Sequence, residues 1–282
     1  VETSNKSVVR SLAKDEQGVI YAGGNGEIGF LAADSSGKAR YVSLMERVPQ
    51  EDRDFGDVWS CHATADGVYY VADDKIFLWH DGSMRVLPSP GPNRGFLLWG
   101  RLFLARFDKG IFELKDGLTP RFLPGTERLK LAVHGRTIVA AYAPDTLLIA
   151  TSQKGLFLYD ERAGVRAAAR PDLAGDNSPL RPFPTDFDPF LAASRAYRVT
   201  PLPDGTFAIA TTGGGIALMN RRGHLLRTIN RSDGLTSQAV FALYVDRAQN
   251  LWACLNKGIA HIEIDSPWSS YGPSRGLDES IL

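Results

Sequence analysis

The 282 residues, 44% of them hydrophobic, suffice for a sizeable core in either one large all-β domain or two ordinary ones. Lys+Arg (32) balance Asp+Glu (32), so there is no basic footprint of the kind that draws a chain to nucleic acid or to anionic lipid. No stretch approaches the roughly 18–20 apolar residues of a membrane-spanning helix, and the opening VETSNKSVVR lacks the charged head and apolar run of a signal peptide.

In chain order, the first distinctive segment is GVIYAGGNGEIGFL (18–31). Gly24, Gly26 and Gly29 fit the string G-x-G-x-x-G, which in a nucleotide-binding fold joins a strand to a helix. The adjoining EIGFLAADSSG reads as strand and turn, so no helix is there to receive a phosphate, and a hairpin is expected instead. The same skeleton recurs in GVYYVADDKIFLW (67–79), GRLFLARFDKGIFEL (100–114), DTLLIATSQKGLFLY (145–159), GTFAIATTGGGIALM (205–219) and NLWACLNKGIAHI (250–262). Each is a turn residue, an apolar strand ending in Ala, a short polar loop and a second apolar strand. The alanines stand at 22, 72, 105, 150, 210 and 253, on average about 46 residues apart, a propeller-blade period. Four loops place glycine five residues after the alanine, at Gly110, Gly155, Gly215 and Gly258, where a tight turn between twisted strands calls for positive φ.

Apolar stretches flank each hairpin: SVVRSLAKD, VWSCHATAD, YRVTPLPD and AVFALYVD before, RYVSL, MRVLP, PRFLP and LLRTI after. Four short strands per repeat predict an all-β fold, a β-propeller of four-stranded blades with six blades recognisable. The chain is expected to form one propeller domain over 1–282, its blades at about 7–56, 57–90, 91–129, 130–195, 196–233 and 234–276. The one expected helix lies in DFDPFLAASRA, with Asp188 as cap and Pro189 in the first turn. Tyr69, Trp79 and Trp252 are expected in the core. Cys61 and Cys254, lacking CxxC partners or zinc-spaced histidines, are expected as two buried, inert thiols.

The last repeat, DGLTSQAVFALYVDRAQNLWACLNKGIAHIE (233–263), resembles the two-component regulator propeller repeat, approximately G-L-x-x-x-x-V-x-x-[LI]-x-x-D-x-x-G-x-L-W-x-[AG]-x-x-x-G-[LI]. Gly234, Leu235, Val240, Leu243, Asp246, Leu251, Trp252, Ala253, Gly258 and Ile259 carry the match, with Gln249 and Asn250 where the turn glycine would be expected. The resemblance implies an extracytoplasmic sensor propeller of a bacterial hybrid sensor or regulator, periplasmic or extracellular. It also implies covalently linked transmembrane and output domains, absent from this chain, and a homodimer. SRGLDESIL at the C-terminus lines up with SDGLTSQAV, which predicts the start of a seventh blade at 277–282 and hence a fragment of a seven-bladed ring.

Blade-to-blade connections and second-to-third-strand turns open on one face, the usual place for a ligand. Two connections are long: 48–59, with Arg53, Asp54, Phe55 and Trp59, and 170–197, with Arg195 and Tyr197. These six residues are candidates for a pocket that binds a small polar molecule or a glycan, stacked on Trp59. Lys109, Lys154 and Lys257 recur just before the loop glycine and could add positive charge to the rim, or be solvated turn residues. Asp172, Asp176, Asn177, Asp186 and Asp188 offer oxygen ligands but fit no calcium-loop spacing, so no metal or other cofactor is expected. His62, His80, His134, His224 and His261 fall in different repeats without H-x-x-x-H or H-x-E pairing. The sequence thus favours a non-catalytic sensor, with a propeller lyase or glycosidase and a protein-binding scaffold as alternatives.

Overall fold

The computed structural model describes residues 2–89, 91, 93–107, 109–129, 137–151, 154–169 and 178–264. They form six antiparallel sheets, five of four strands and one of three, the blades of a β-propeller. The chain divides into two compact units, Val1–His134 and Gly135–Leu282.

The first unit holds three blades. Blade 1 comprises β1 (Val9–Lys14), β2 (Ile20–Gly24), β3 (Glu27–Ala33) and β4 (Ala39–Ser43). Blade 2 comprises β5 (Val58–Thr64), β6 (Gly67–Ala72), β7 (Lys75–His80) and β8 (Ser83–Pro88). Blade 3 comprises β9 (Asn93–Leu98), β10 (Arg101–Arg106), β11 (Gly110–Lys115) and β12 (Thr119–Phe122). First strands stack on one another from blade to blade, β1 against β5 and β5 against β9. Apolar residues fill the interfaces: Ile28, Val58, Tyr70 and Phe77 between blades 1 and 2, then Tyr69, Ile76, Leu104 and Leu114 between blades 2 and 3.

The second unit repeats the plan. Blade 4 comprises β13 (Thr137–Ala143), β14 (Thr146–Thr151), β15 (Gly155–Asp160) and β16 (Leu180–Pro182), with α1 (Glu161–Ala169) inserted before its last strand. After α2 (Asp188–Ser194), blade 5 comprises β17 (Ala196–Pro201), β18 (Phe207–Thr211), β19 (Ile216–Met219) and β20 (Leu225–Ile229). Blade 6 comprises β21 (Val240–Val245), β22 (Leu251–Leu255) and β23 (Ile259–Ile262) among the described residues. The 170–197 stretch is therefore not one connection: Leu180–Pro182 pairs with β15 as an outer strand, and only the chain beyond Pro182 joins two blades. Helix α1 was not expected: in ERAGVRAAA the one large apolar residue is Val165, so no run of large apolar side chains marks a buried face. Helix α2 is present with Pro189 in its first turn, but Asp188 turns back to accept hydrogen bonds from Thr185 rather than capping the helix.

The first glycine-rich segment is the β2–β3 hairpin, with Gly26 at φ 59° in its turn. Gly110, Gly155, Gly215 and Gly258 all take positive φ, as the turn chemistry requires. On the opposite edge of the sheets, turns are built by an Asp or Asn whose side chain accepts from the backbone two and four residues on. Asp34, Asn220 and Asp246 all do so. In the last of these, Gln249 occupies the left-handed region at φ 66°. Gln249→Gly is therefore expected to raise stability by up to about 1 kcal/mol, read as a small rise in thermal midpoint.

Tyr69 is core as expected, donating its hydroxyl to Gly117 O at 2.6 Å, and Trp79 packs at the edge of the core between blades 1 and 2. Two expectations are corrected in blade 6. Trp252 is 41% exposed, its indole N–H donated to Asp246 and its ring over His261, and Cys254 is also exposed. Both side chains point away from the face of blade 6 that packs on blade 5. Cys61 is buried and its thiol is pushed up to about 12 by burial.

Candidate functional site

The register of the innermost strands contains a repeated irregularity. In β1 the pairing runs from Val9–Gly24 to Ser11–Gly23, leaving Arg10 as an extra residue. In β5, β17 and β21 the extra residues are Trp59, Tyr197 and Phe241. A bulge re-aims the side chain it carries and is a common device at barrel rims and binding sites. Here all four occur at the second residue of an innermost strand, next to the face where the blade connections arrive.

In the first unit the bulges of β1 and β5, with the regular strand β9, bring three side chains together. The Arg94 guanidinium, from β9, lies 4.4 Å from the centre of the Trp59 ring, and that of Arg10 lies 5.8 Å from it. Both contacts are in cation–π range. The indole N–H is donated to Asp73 Oδ1 at 2.7 Å, from the β6–β7 turn. Arg10 Nε donates to Asp57 Oδ1 at 3.1 Å, and Arg94 donates to the carbonyl of Asn93. The result is an indole with its N–H fixed, two guanidinium groups at its faces and two carboxylates beside it.

The nine candidate residues divide sharply around this cluster. Trp59 is at its centre. Arg53 belongs to the loop itself, donating to the carbonyls of Val48 and Glu46, and the Asp54 carbonyl accepts from Lys75. Phe55 is corrected to a core residue: it is buried, its ring 4.6 Å from that of Phe77, because an aromatic ring in an otherwise charged loop gains most by entering the nearest apolar cluster. Lys109 is exposed at its turn.

In the second unit, Tyr197 meets Phe241 edge to face at 5.3 Å. Arg195 is exposed at the end of α2 with φ 57° and hydrogen-bonds through its backbone. Lys154 is exposed beside a cavity of about 270 Å³ lined also by Asp188, Leu191 and Ala196, and Lys257 is exposed, its carbonyl accepting from Thr236. Of the acidic set, Asp186 accepts from Leu225 and His224, and Asp188 from Thr185. Asp172, Asp176 and Asn177 lie outside the described residues, as do His134 and the segment 277–282.

Arg10, Arg94, Asp57, Asp73 and Phe241 were not anticipated. VVRS, VWSC, AYRV and VFAL share no sequence mark of a bulge. The signal available was positional: each carries a large or charged residue at the point where its strand begins.

A larger recess, about 650 Å³, opens on the opposite side of the first unit, lined by Lys14, Asp15, Tyr21, Trp79 and His80 among others. None of the candidate residues lines it. Within it Asp15 accepts from Val19 N–H and the Tyr21 hydroxyl, and His80 lies 3.2 Å from Asp81.

No protein-family model matches the chain, and no curated protein sequence matches it. Solved structures do. Virginiamycin B lyase from Staphylococcus aureus aligns with a TM-score of 0.61 at 14% identity, over 94% of this chain and 88% of that one. The extracellular domain of a one-component system from B. thetaiotaomicron aligns with a TM-score of 0.57 at 14% identity, over 92% of this chain, which spans only 39% of that structure. BamB from Moraxella catarrhalis aligns with a TM-score of 0.56 at 14% identity, over 91% of this chain and 85% of that one. An enzyme, a signalling ectodomain and BamB share this architecture with the chain, and at such identities what they have in common with it is the β-propeller fold.

Proposed function

We propose that this chain is the non-catalytic, ligand-sensing propeller of a bacterial signalling protein, acting in the periplasm or outside the cell. It binds a small polar ligand, a saccharide being the best chemical fit, and passes the signal to linked transmembrane and output domains. The observation that carries this reading is the Trp59 cluster. A ring whose N–H is already held by Asp73, with Arg10 and Arg94 over it and Asp57 within reach, gathers donors and acceptors around an aromatic face that a ligand would reach by displacing a guanidinium. That is how polyhydroxylated ligands are held: apolar ring faces on aromatics, hydroxyls on charged groups. The sensor ectodomain among the structural neighbours supports the same reading, as does the resemblance of 233–263 to a sensor repeat. The lyase among those neighbours shows only that the fold can host catalysis.

The test is calorimetric titration of the chain with a panel of oligosaccharides, with the thermal midpoint as a second reading. A ligand at one hundred times its Kd should stabilise the native state by about 2.7 kcal/mol. Trp59→Ala is expected to weaken binding at least tenfold, and Trp59→Phe, which keeps a ring, by less. A ligand bound equally well by Trp59→Ala would remove the site from consideration.

A further inference from the structure

The recess of about 650 Å³ on the side of the first unit away from Trp59 is walled mainly by three turns of blades 1 and 2. Lys14, Asp15 and Glu16 come from the β1–β2 turn, Thr64 and Gly67 flank the β5–β6 turn, and His80 and Asp81 come from the β7–β8 turn. Two of these turns are fixed by their own side chains. Asp15 accepts from Val19 N–H, and Thr64 Oγ1 accepts from Asp66 N–H while donating to Gly67 O. The volume is that of a small-molecule pocket, with walls already formed.

Two aromatic rings supply its apolar part. Tyr21 and Trp79 pack against the core between blades 1 and 2 and are only partly buried where they line the recess. The Tyr21 hydroxyl is donated to Asp15 Oδ2 at 3.0 Å, and burial together with that carboxylate pushes the phenol up to about 12, so the ring stays neutral. Trp79 differs from Trp59, Trp99 and Trp252. The indole N–H groups of Trp59 and Trp252 are given to aspartates, and guanidinium groups lie by the rings of Trp59 and Trp99. Among the described residues Trp79 has neither a partner for its N–H nor a cation by its ring.

The charges around these rings are unbalanced. Asp15, Glu16 and Asp81 supply three carboxylates against the single amine of Lys14, and His80 lies beside Asp81. Among the described residues no three metal-ligating side chains come close enough together to hold an ion. Negative charge spread along a recess in this way suits an organic cation better than a metal ion, which needs its oxygen ligands gathered at one point. We propose that this recess binds an organic ammonium ion, its cationic head against Trp79 and Tyr21 and its charge matched by Asp15, Glu16 and Asp81. Aromatic faces attract such heads within about 6 Å of the ring centre, the more so as the head sheds water. All of these residues belong to the first unit, and the site does not depend on what Trp59 binds.

The test is titration calorimetry of the whole chain at low salt and about pH 8, where carboxylic acids are ionised, with choline against its neutral isostere 3,3-dimethylbutan-1-ol. Choline is expected to bind about tenfold tighter or more. Glu16→Gln combined with Asp81→Asn, both at exposed positions, is expected to cut that preference by about threefold or more, and Trp79→Phe, which keeps a weaker ring, to loosen choline by about threefold. Trp59→Ala and Glu51→Gln, on the other side of the unit, are expected to leave the preference in place. A second reading needs no loss of stability to be excluded: in the wild-type chain the indole N–H resonance of Trp79, identified by its absence from Trp79→Phe, is expected to move on adding choline while that of Trp59 stays. Equal binding of the two probes, or no binding of either, overturns the proposal. So does a preference untouched by the Glu16 and Asp81 changes, or a resonance shift confined to another tryptophan. A choline preference lost in Trp59→Ala but kept in Trp79→Phe would place the cation at Trp59, refuting this site while leaving the sensing reading intact.

Discussion

Replacing Gly29 by alanine is expected to destabilise the chain by about 3 kcal/mol, lowering the thermal midpoint by roughly 6 °C or more. Gly29 lies in β3 with ordinary strand geometry, so the constraint is space and not backbone conformation. A Cβ there would stand 2.3 Å from the carbonyl oxygen of Val42 and 2.5 Å from the phenol of Tyr41 in the adjacent strand. The Gly29 carbonyl also accepts a buried hydrogen bond from Tyr70 of blade 2 at 2.8 Å, so moving β3 to relieve the clash pulls on the blade interface. Tyr70→Phe, which removes only that bond, is expected to cost about 1 kcal/mol. The two variants measured by chemical unfolding separate the contributions. A Gly29→Ala protein as stable as the wild type would refute the packing account of this glycine.

Glu113→Ala is expected to cost about 2–3 kcal/mol, and the loss depends on pH in a defined direction. The Glu113 carboxylate is fully buried in β11 and holds three cations from one sheet. Arg101 Nε and Lys115 Nζ each lie 2.7 Å from Oε1, and the Arg121 guanidinium engages Oε2. Removing it leaves three like charges close together. Breaking a buried ion pair costs about 3–5 kcal/mol when the surviving charge is trapped. Here the cations are partly exposed and can turn to water, which lowers the figure. Burial pushes the Glu113 carboxyl upward, but hydrogen bonds from Lys115 and Arg121 and the charges of Arg101 and Arg121 outweigh it, leaving the carboxyl below its ordinary value. A group whose pKa is depressed by folding contributes fully above its unfolded value, about 4.3 for Glu, and loses that contribution as pH falls through the folded value. The difference in midpoint between wild type and Glu113→Gln should therefore be steady from about pH 7 to pH 5 and close at more acid pH. A difference that widened with acid would contradict the ion-cluster account.

The blade repeat was legible because its central hairpins are buried on both sheet faces. Such strands must be apolar throughout, and their turns need glycine or Asx chemistry, so both leave marks in sequence. Alanines 22, 72, 105, 150, 210 and 253 all fall in or at the end of second strands. The candidate site was legible only at Trp59 and Tyr197. A bulge is a change of register between two strands, and the string VWSC carries no trace of it. Arg10 and Arg94 stand about 50 and 35 positions from Trp59, and only the stacking of β1, β5 and β9 makes them neighbours. Phe55 and Trp252 failed in opposite directions for one reason. Burial depends on what the adjoining blade supplies, so a loop aromatic beside Phe77 goes inside, while a strand tryptophan on the face of blade 6 away from blade 5 stays out.

The connection that leads into Trp59 is tied at many points. Arg53 holds the carbonyls of Val48 and Glu46, Lys75 holds that of Asp54, Asn25 bridges to Asp57, and Gly26 N–H is donated to Gly56 O. A loop so fastened has already lost its conformational freedom before any ligand arrives. Association at Trp59 then carries no ordering penalty from this segment, and the heat-capacity change of binding reflects the contact area alone. A signal originating there would have to travel as a displacement of preformed parts, with no stretch of chain folding to generate it.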